Sequence, residues 1–122
     1  MIDINKILEE APNKISEYSE KENACYGDMI IYHERYKKLR AKIYLETKTK
    51  EEKKAIKDIE YELDVNEELA VIKNKEISAE IDYRGWRTKK EKAKDYFMMA
   101  CERGRNQRAE LRGLNDTIGG EQ

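Results

Sequence analysis

Six of the chain's cations, Arg84, Arg87, Lys89, Lys90, Lys92 and Lys94, fall within the fifteen residues YRGWRTKKEKAKDYF at 83–97. The only tryptophan, Trp86, and the only phenylalanine, Phe97, lie in the same stretch. Cations at this density can neutralise phosphates, and rings beside them can stack on bases. Proteins that bind single strands without sequence preference combine the two. Two further basic sets occur, Lys37, Lys38, Arg40 and Lys42 in YKKLRAK and Arg103, Arg105 and Arg108 in RGRNQR. Nothing comparable points to catalysis. His33 is the only histidine, one position beyond Tyr32 on a helix, and no Ser or Cys has a nucleophile motif around it. Glu51-Glu52 and Glu67-Glu68 read as helix-start residues favoured by the macrodipole, and Gly104 and Gly113 follow no strand that could open a phosphate loop. Cys25 and Cys101 are too few and too unpatterned for a zinc site or a disulfide framework, which implies a reduced, cytoplasmic setting. The residues therefore predict a binding protein, not an enzyme, with no cofactor and no metal.

The elements that carry these residues follow from spacing. Positions 15, 18, 22, 25, 29, 32, 36, 39 and 43 alternate steps of three and four and hold Ile15, Tyr18, Glu22, Cys25, Met29, Tyr32, Tyr36, Leu39 and Ile43. Eight of these nine are apolar or aromatic, the seam of a coiled coil. From Leu69 the same spacing runs through Ile72, Glu76, Ala79, Tyr83, Trp86, Lys90, Ala93, Phe97, Ala100, Gly104, Gln107, Leu111 and Leu114. Asp3 can cap a first short helix over 3–10, Pro12 suits the start of a long helix over 12–46, and Thr49 with Glu52 forms a capping box for a linker helix over 49–63. A second long helix then spans 65–113, with a flexible tail over 114–122 marked by Gly113 and Gly119-Gly120. Asp64 with Glu67 repeats the capping spacing, which allows either a kink or restart near Asp64-Val65 or a helix that continues through it.

A helix over 65–113 is roughly 70 Å long, more than a compact domain of this mass needs, and so implies a partner helix. The expected fold is all-α, long heptad helices forming a helical hairpin or coiled coil. The second helix outlasts the first, and the seam left uncovered predicts a homo-oligomer.

Composition agrees with an extended helical chain. With 39% hydrophobic and 42% charged residues, the 122-residue chain makes one domain at most, without a thick core. The net charge of −1 hides a division: Arg84 to Arg112 holds ten Lys/Arg against four Asp/Glu, whereas residues 1–83 hold fifteen against twenty. Such a charge dipole can attract a polyanion at one end or pair helices head to tail. No apolar run is long enough to span a membrane, and MIDINKILEE is acidic where a signal peptide is basic, which predicts a soluble protein with no membrane partner.

The register also divides the opening stretch. Tyr83, Trp86 and Phe97 share the seam and are expected to pack against another helix as an oligomerisation seam, with Lys90 among them. Arg84, Arg87, Lys89, Lys92 and Lys94 lie on the flanks and back, either as a solvated face or as phosphate contacts. Arg103 to Arg108 can bind phosphate or pair with the acidic N-terminal helix, and Gly104 on the seam would let another backbone approach.

The run Leu39-Arg40-Ala41-Lys42-Ile43-Tyr44 near the end of one long helix, followed by Thr49-Lys50-Glu51-Glu52-Lys53 at the start of another, resembles the UvsY family of phage recombination mediators. The residue-level match spans about fifteen positions and the helix order most of the chain. The linker here is shorter, the last helix longer, and residues 83–97 have no family equivalent. The resemblance implies a small helical oligomer that binds single-stranded DNA and helps load a RecA-like recombinase onto strands covered by single-strand binding protein. It places DNA contacts on Arg40 and Lys42. With Arg84, Arg87, Lys89 and Lys90 as a second patch, the expected function is a single-stranded DNA-binding accessory protein in the host cytoplasm. The alternative is a small phage protein-binding or scaffold coiled-coil module without nucleic-acid binding.

Overall fold

The structure, a computed structural model, describes residues 3–120, with side chains as far as residue 113. Its described residues are all-helical: α1 spans Ile4–Lys50, α2 spans Ile56–Asp64 and α3 spans Glu67–Gly120. No described helix is long and apolar enough to cross a membrane. Two compact units are present, one made of residues 1–20 and 86–122, the other of residues 21–85.

In the second unit the core sits where the three helices meet. Ile59 and Leu63 of α2 and Leu69 in the first turn of α3 are buried, and Tyr36, Leu39, Ile43 and Tyr44 of α1 pack against them. Along the rest of this unit the helices meet through rings and charges. Lys73 Nζ lies 5.2 Å from the Tyr36 ring, His33 Nδ1 lies 2.8 Å from Glu76 Oε1, and the rings of Tyr26 and Tyr83 are 5.4 Å apart. Partner numbers on α3 fall as those on α1 rise. The seam positions Cys25, Met29, Tyr32, Tyr36, Leu39 and Ile43 are half-buried, Glu22 and Ala79 buried, and Ile72, Glu76 and Tyr83 half-buried, so the three-four spacing marks the inner faces.

His33, one position beyond the seam residue Tyr32, meets Glu76 with its ring, and the Glu76 side chain is only 14% exposed and also accepts from Lys73 Nζ at 3.3 Å. A carboxylate on a seam position needs such partners, because burial without them would penalise its charge.

The helix boundaries differ from the spacing-based expectation in four places. α1 runs through Pro12 as one helix, although proline removes an N–H and crowds the preceding turn at about 3 kcal/mol. Packing on either side, with Ala11 buried and Ile7 and Ile15 half-buried, holds the turn together where local propensity would break it. Thr49 does not open the linker helix: its hydroxyl donates to Leu45 O at 2.7 Å inside the last turn of α1. α2 begins later, after Ala55, without a side-chain cap. The intervening residues are held instead by Lys48 Nζ, which donates to Glu52 O and Lys54 O at 3.2 Å each, and by Lys54 pairing with Glu51 and Glu62. Those carboxylates hold the Lys54 ammonium above its usual range.

α3 is capped by Asn66, whose Oδ1 accepts from Leu69 N at 3.0 Å, and not by Asp64, which is the last residue of α2. Asp3 does cap α1, accepting from Lys6 N at 3.1 Å. At the other end α3 continues through Gly113 to Gly120, since a glycine weakens a helix by about 1 kcal/mol relative to alanine without ending it. The expected tail therefore begins no earlier than 121; residues 121–122 and the side chain of the seam residue Leu114 lie outside the described residues.

In the first unit the Tyr18 and Trp86 rings meet at a tilt with centroids 5.8 Å apart, and Ile4 and Ile7 line a small pocket together with Tyr96, Met99 and Ala100. Ala11 and Ala100 are buried, and Ala93, Phe97 and Gly104 half-buried. A Cβ at Gly104 would meet no atom within 4 Å, so among the described residues no other segment's backbone approaches there. Beyond it the seam positions Gln107 and Leu111 are exposed.

Cys25, in the second unit, has a consequence for reactivity. Burial pushes its thiol up above the ordinary range, and the charges of Asp82 and Asp28 push it further. Since the thiolate is the nucleophile, in a Cys101→Ser background iodoacetamide at pH 8 should modify Cys25 more slowly than it modifies glutathione. Asp82→Asn should bring the pH–rate profile back toward lower pH, and a rate equal to that of glutathione would show the thiol to be unperturbed.

Candidate nucleic-acid interface

The residues expected to contact DNA are distributed over both units. Arg40 in α1 is occupied: its guanidinium donates to Asp64 Oδ1 at 3.2 Å and to the Tyr36 hydroxyl at 3.4 Å. Burial opposes the charge on Arg40, but those two hydrogen bonds outweigh it and leave the guanidinium pKa above its usual value. With 32% of the Arg40 side chain and 66% of Asp64 exposed, solvent screening limits the pair to about 0.2–1 kcal/mol. Arg40 thus ties α1 to the end of α2. Lys42 is exposed and has no ion-pair partner among the described residues. Arg84, on α3 of the same unit, bonds Glu80 at 2.7 Å.

The remaining three belong to the first unit. Arg87 Nε lies 3.4 Å from Glu91 Oε1, Lys89 Nζ sits 4.5 Å from the centre of the Trp86 ring, and Lys90 is half-buried on the seam. Of the expected oligomerisation residues, Tyr83 meets Tyr26 and Trp86 meets Tyr18 within the chain, and Phe97 is half-buried.

A groove in the first unit brings cations and rings together. It has a volume of about 840 Å³ and lies between the first turns of α1, which supply Lys6, Lys14 and Tyr18, and the part of α3 that supplies Lys89, Lys92 and Tyr96. Its floor is apolar, with Ile7, Ala11 and Ala93. The four lysines are exposed, and so is Tyr96, at 56%. Both carboxylates on its rim are engaged, Asp3 in capping α1 and Glu10 with Lys14 at 3.8 Å. An anion in the groove therefore meets ammonium groups from two helices, with an aromatic ring exposed beside them. The groove contains Lys89 from the expected patch; Lys6, Lys14 and Tyr96 were missed. Lys6 and Lys14 sit in an acidic stretch, and only the pairing of α1 with α3 sets them beside Lys89 and Lys92.

Among the described residues, no group of three or more His, Cys, Asp or Glu side chains is placed to hold a metal ion. No protein-family model matches the chain, and no curated protein and no solved structure is similar to it.

Proposed function

We propose that this chain is an accessory protein that binds single-stranded DNA without sequence preference, built as a helical hairpin and acting as a homo-oligomer. The lysine groove carries the reading: ammonium groups from two helices suit a phosphate backbone, and the exposed Tyr96 offers a face on which any base can stack. Because one protomer supplies few phosphate contacts, affinity depends on assembly. Exposed apolar side chains in the second unit, among them Val71, Ile77 and Ile81, support association between copies. The resemblance of residues 39–53 to the UvsY family adds the role of helping to load a RecA-like recombinase onto strands covered by single-strand binding protein, in the host cytoplasm.

The same apolar residues favour a second reading, a protein-binding or scaffold coiled coil with no nucleic-acid ligand. Titration of fluorescent single-stranded DNA at two salt concentrations separates them. Binding that weakens steeply with salt supports the first reading, and no binding at about 50 mM salt sinks it. Arg40 and Lys42 then divide by role. Arg40→Gln should lower stability by up to about 1 kcal/mol in denaturant unfolding, whereas Lys42→Gln should leave stability unchanged and weaken DNA binding. Equal effects of the two on stability would contradict the latch assigned to Arg40.

A further inference from the structure

We infer that the arginine face of α3 formed by Arg105, Arg108 and Arg112 is a second phosphate-binding site, separate from the lysine groove, that takes the backbone of single-stranded nucleic acid. The inference rests on the proposed DNA-binding reading and adds a contact to it.

Three observations converge on these residues. First, they are spaced i, i+3, i+7, which places all three on one face of a continuous helix, about 4.5 Å and 6 Å apart along its axis. All three are exposed. Lys94, three turns earlier on the same face, extends the row, and the positions between, Met98 and Cys101, bring no carboxylate into it. Asp95 and Glu102 fall about 60–80° round the helix from Arg105, and Glu110 lies on the opposite side.

Second, the charges are uncommitted. Arg105 and Arg112 have no ion-pair partner among the described residues, and Arg108 uses only Nε, donating to Gly104 O at 3.3 Å. A guanidinium carries five donors, so most remain available, in the planar fork that matches a phosphate.

Third, this part of α3 has lost its seam cover. Ala100 is buried and Gly104 half-buried, but Gln107 and Leu111 are exposed, and Leu111 remains 60% accessible. A polar helical segment without tertiary packing is marginal in water, so a ligand that neutralises its arginines would also stabilise its helix. Phosphate is favoured over a carboxylate-bearing helix of a second copy, because the row is arginine in all three places and belongs to the same unit as the lysine groove.

The test measures the salt dependence of binding to fluorescent oligothymidine for the full chain and for the Arg105→Gln/Arg108→Gln/Arg112→Gln variant. Glutamine keeps comparable helix propensity, so circular dichroism should not change. Loss of three single-strand contacts should lower the slope of log K against log salt by about 2 and weaken binding at least roughly tenfold at 50 mM salt. The triple Arg→Lys variant should keep the slope. A Gln variant that binds with the original slope overturns the inference while leaving the groove reading intact, also if its mass in solution changes, which would assign the face to a second copy. Absence of binding by the unaltered chain overturns both. Should the Gln variant lose helicity, phenylglyoxal modification of the unaltered protein decides: DNA should shield Arg105, Arg108 and Arg112, and undiminished modification overturns the inference.

Discussion

Leu69→Ala is expected to destabilise the protein by about 2–5 kcal/mol and to lower the unfolding midpoint by roughly 10 °C, the largest stability effect of any single truncation on α3. The reason is how few large side chains are fully enclosed. Among the described residues Ile59 and Leu69 are fully buried and Leu63 nearly so, and all three belong to one cluster with Tyr36, Leu39, Ile43 and Tyr44. Truncating Leu69 removes the methyl groups that the first turn of α3 places in the cluster with Ile59 and Leu63 of α2, and surrounding structure relaxes only partly around such a void. Ile77→Ala, at a position 43% exposed, should change stability by less than about 0.5 kcal/mol. Thermal unfolding followed by circular dichroism measures both. A Leu69→Ala effect as small as that of Ile77→Ala would mean that this corner is not where the second unit is held together.

The second large effect concerns the groove. Replacing Lys6, Lys14, Lys89 and Lys92 together by glutamine should reduce the slope of log K against log salt by up to about 3 and weaken single-stranded DNA binding on the order of 100-fold at 0.1 M salt. Lys14 already faces Glu10 and Lys89 already sits over the Trp86 ring, so these two contribute less than a free ammonium would. Lys6 and Lys92 should accordingly account for most of the loss, and the pair Lys6→Gln/Lys92→Gln tests this directly. Stability should hardly change, since all four lysines are exposed. Binding with an unaltered slope would remove the groove as the DNA site even if the protein binds DNA elsewhere.

The inner faces of both long helices were legible from residue spacing alone. Tyr18 to Ile43 on α1 and Leu69 to Gly104 on α3 are buried or half-buried at the positions the three-four alternation selects. That pattern is a one-dimensional consequence of helix geometry, so a single chain suffices to read it. The helix ends were less legible, because cap residues have competing uses: Thr49 bonds back into α1 and Asp64 turns to Arg40, leaving Asn66 to start α3. Pro12 misled for the opposite reason, since packing at Ala11 overrides a local preference.

The candidate site was the least legible. The basic stretch at 83–97 announced Lys89, but half of the groove's lysines come from α1, in a segment whose own charge balance is acidic. Conversely Arg40, singled out by a short motif, is engaged by Asp64, a residue 24 positions away. Local composition reports what a residue is, and its ion-pair partner is fixed by tertiary packing.

The concentration of full burial in one corner also bears on how freely this sequence can vary. Along α1 and α3 most seam side chains keep part of their surface in water, so exchanging one apolar residue for another there alters only a fraction of its transfer free energy. Tyr, Met, Cys and even Glu occupy such positions on α1. Ile59, Leu63 and Leu69 have no such latitude, because each is closed in by the other helices. The protein is therefore permissive over most of its length and exacting at these three residues, and substitutions that reshape its charged faces can accumulate without disturbing the corner that holds the second unit together.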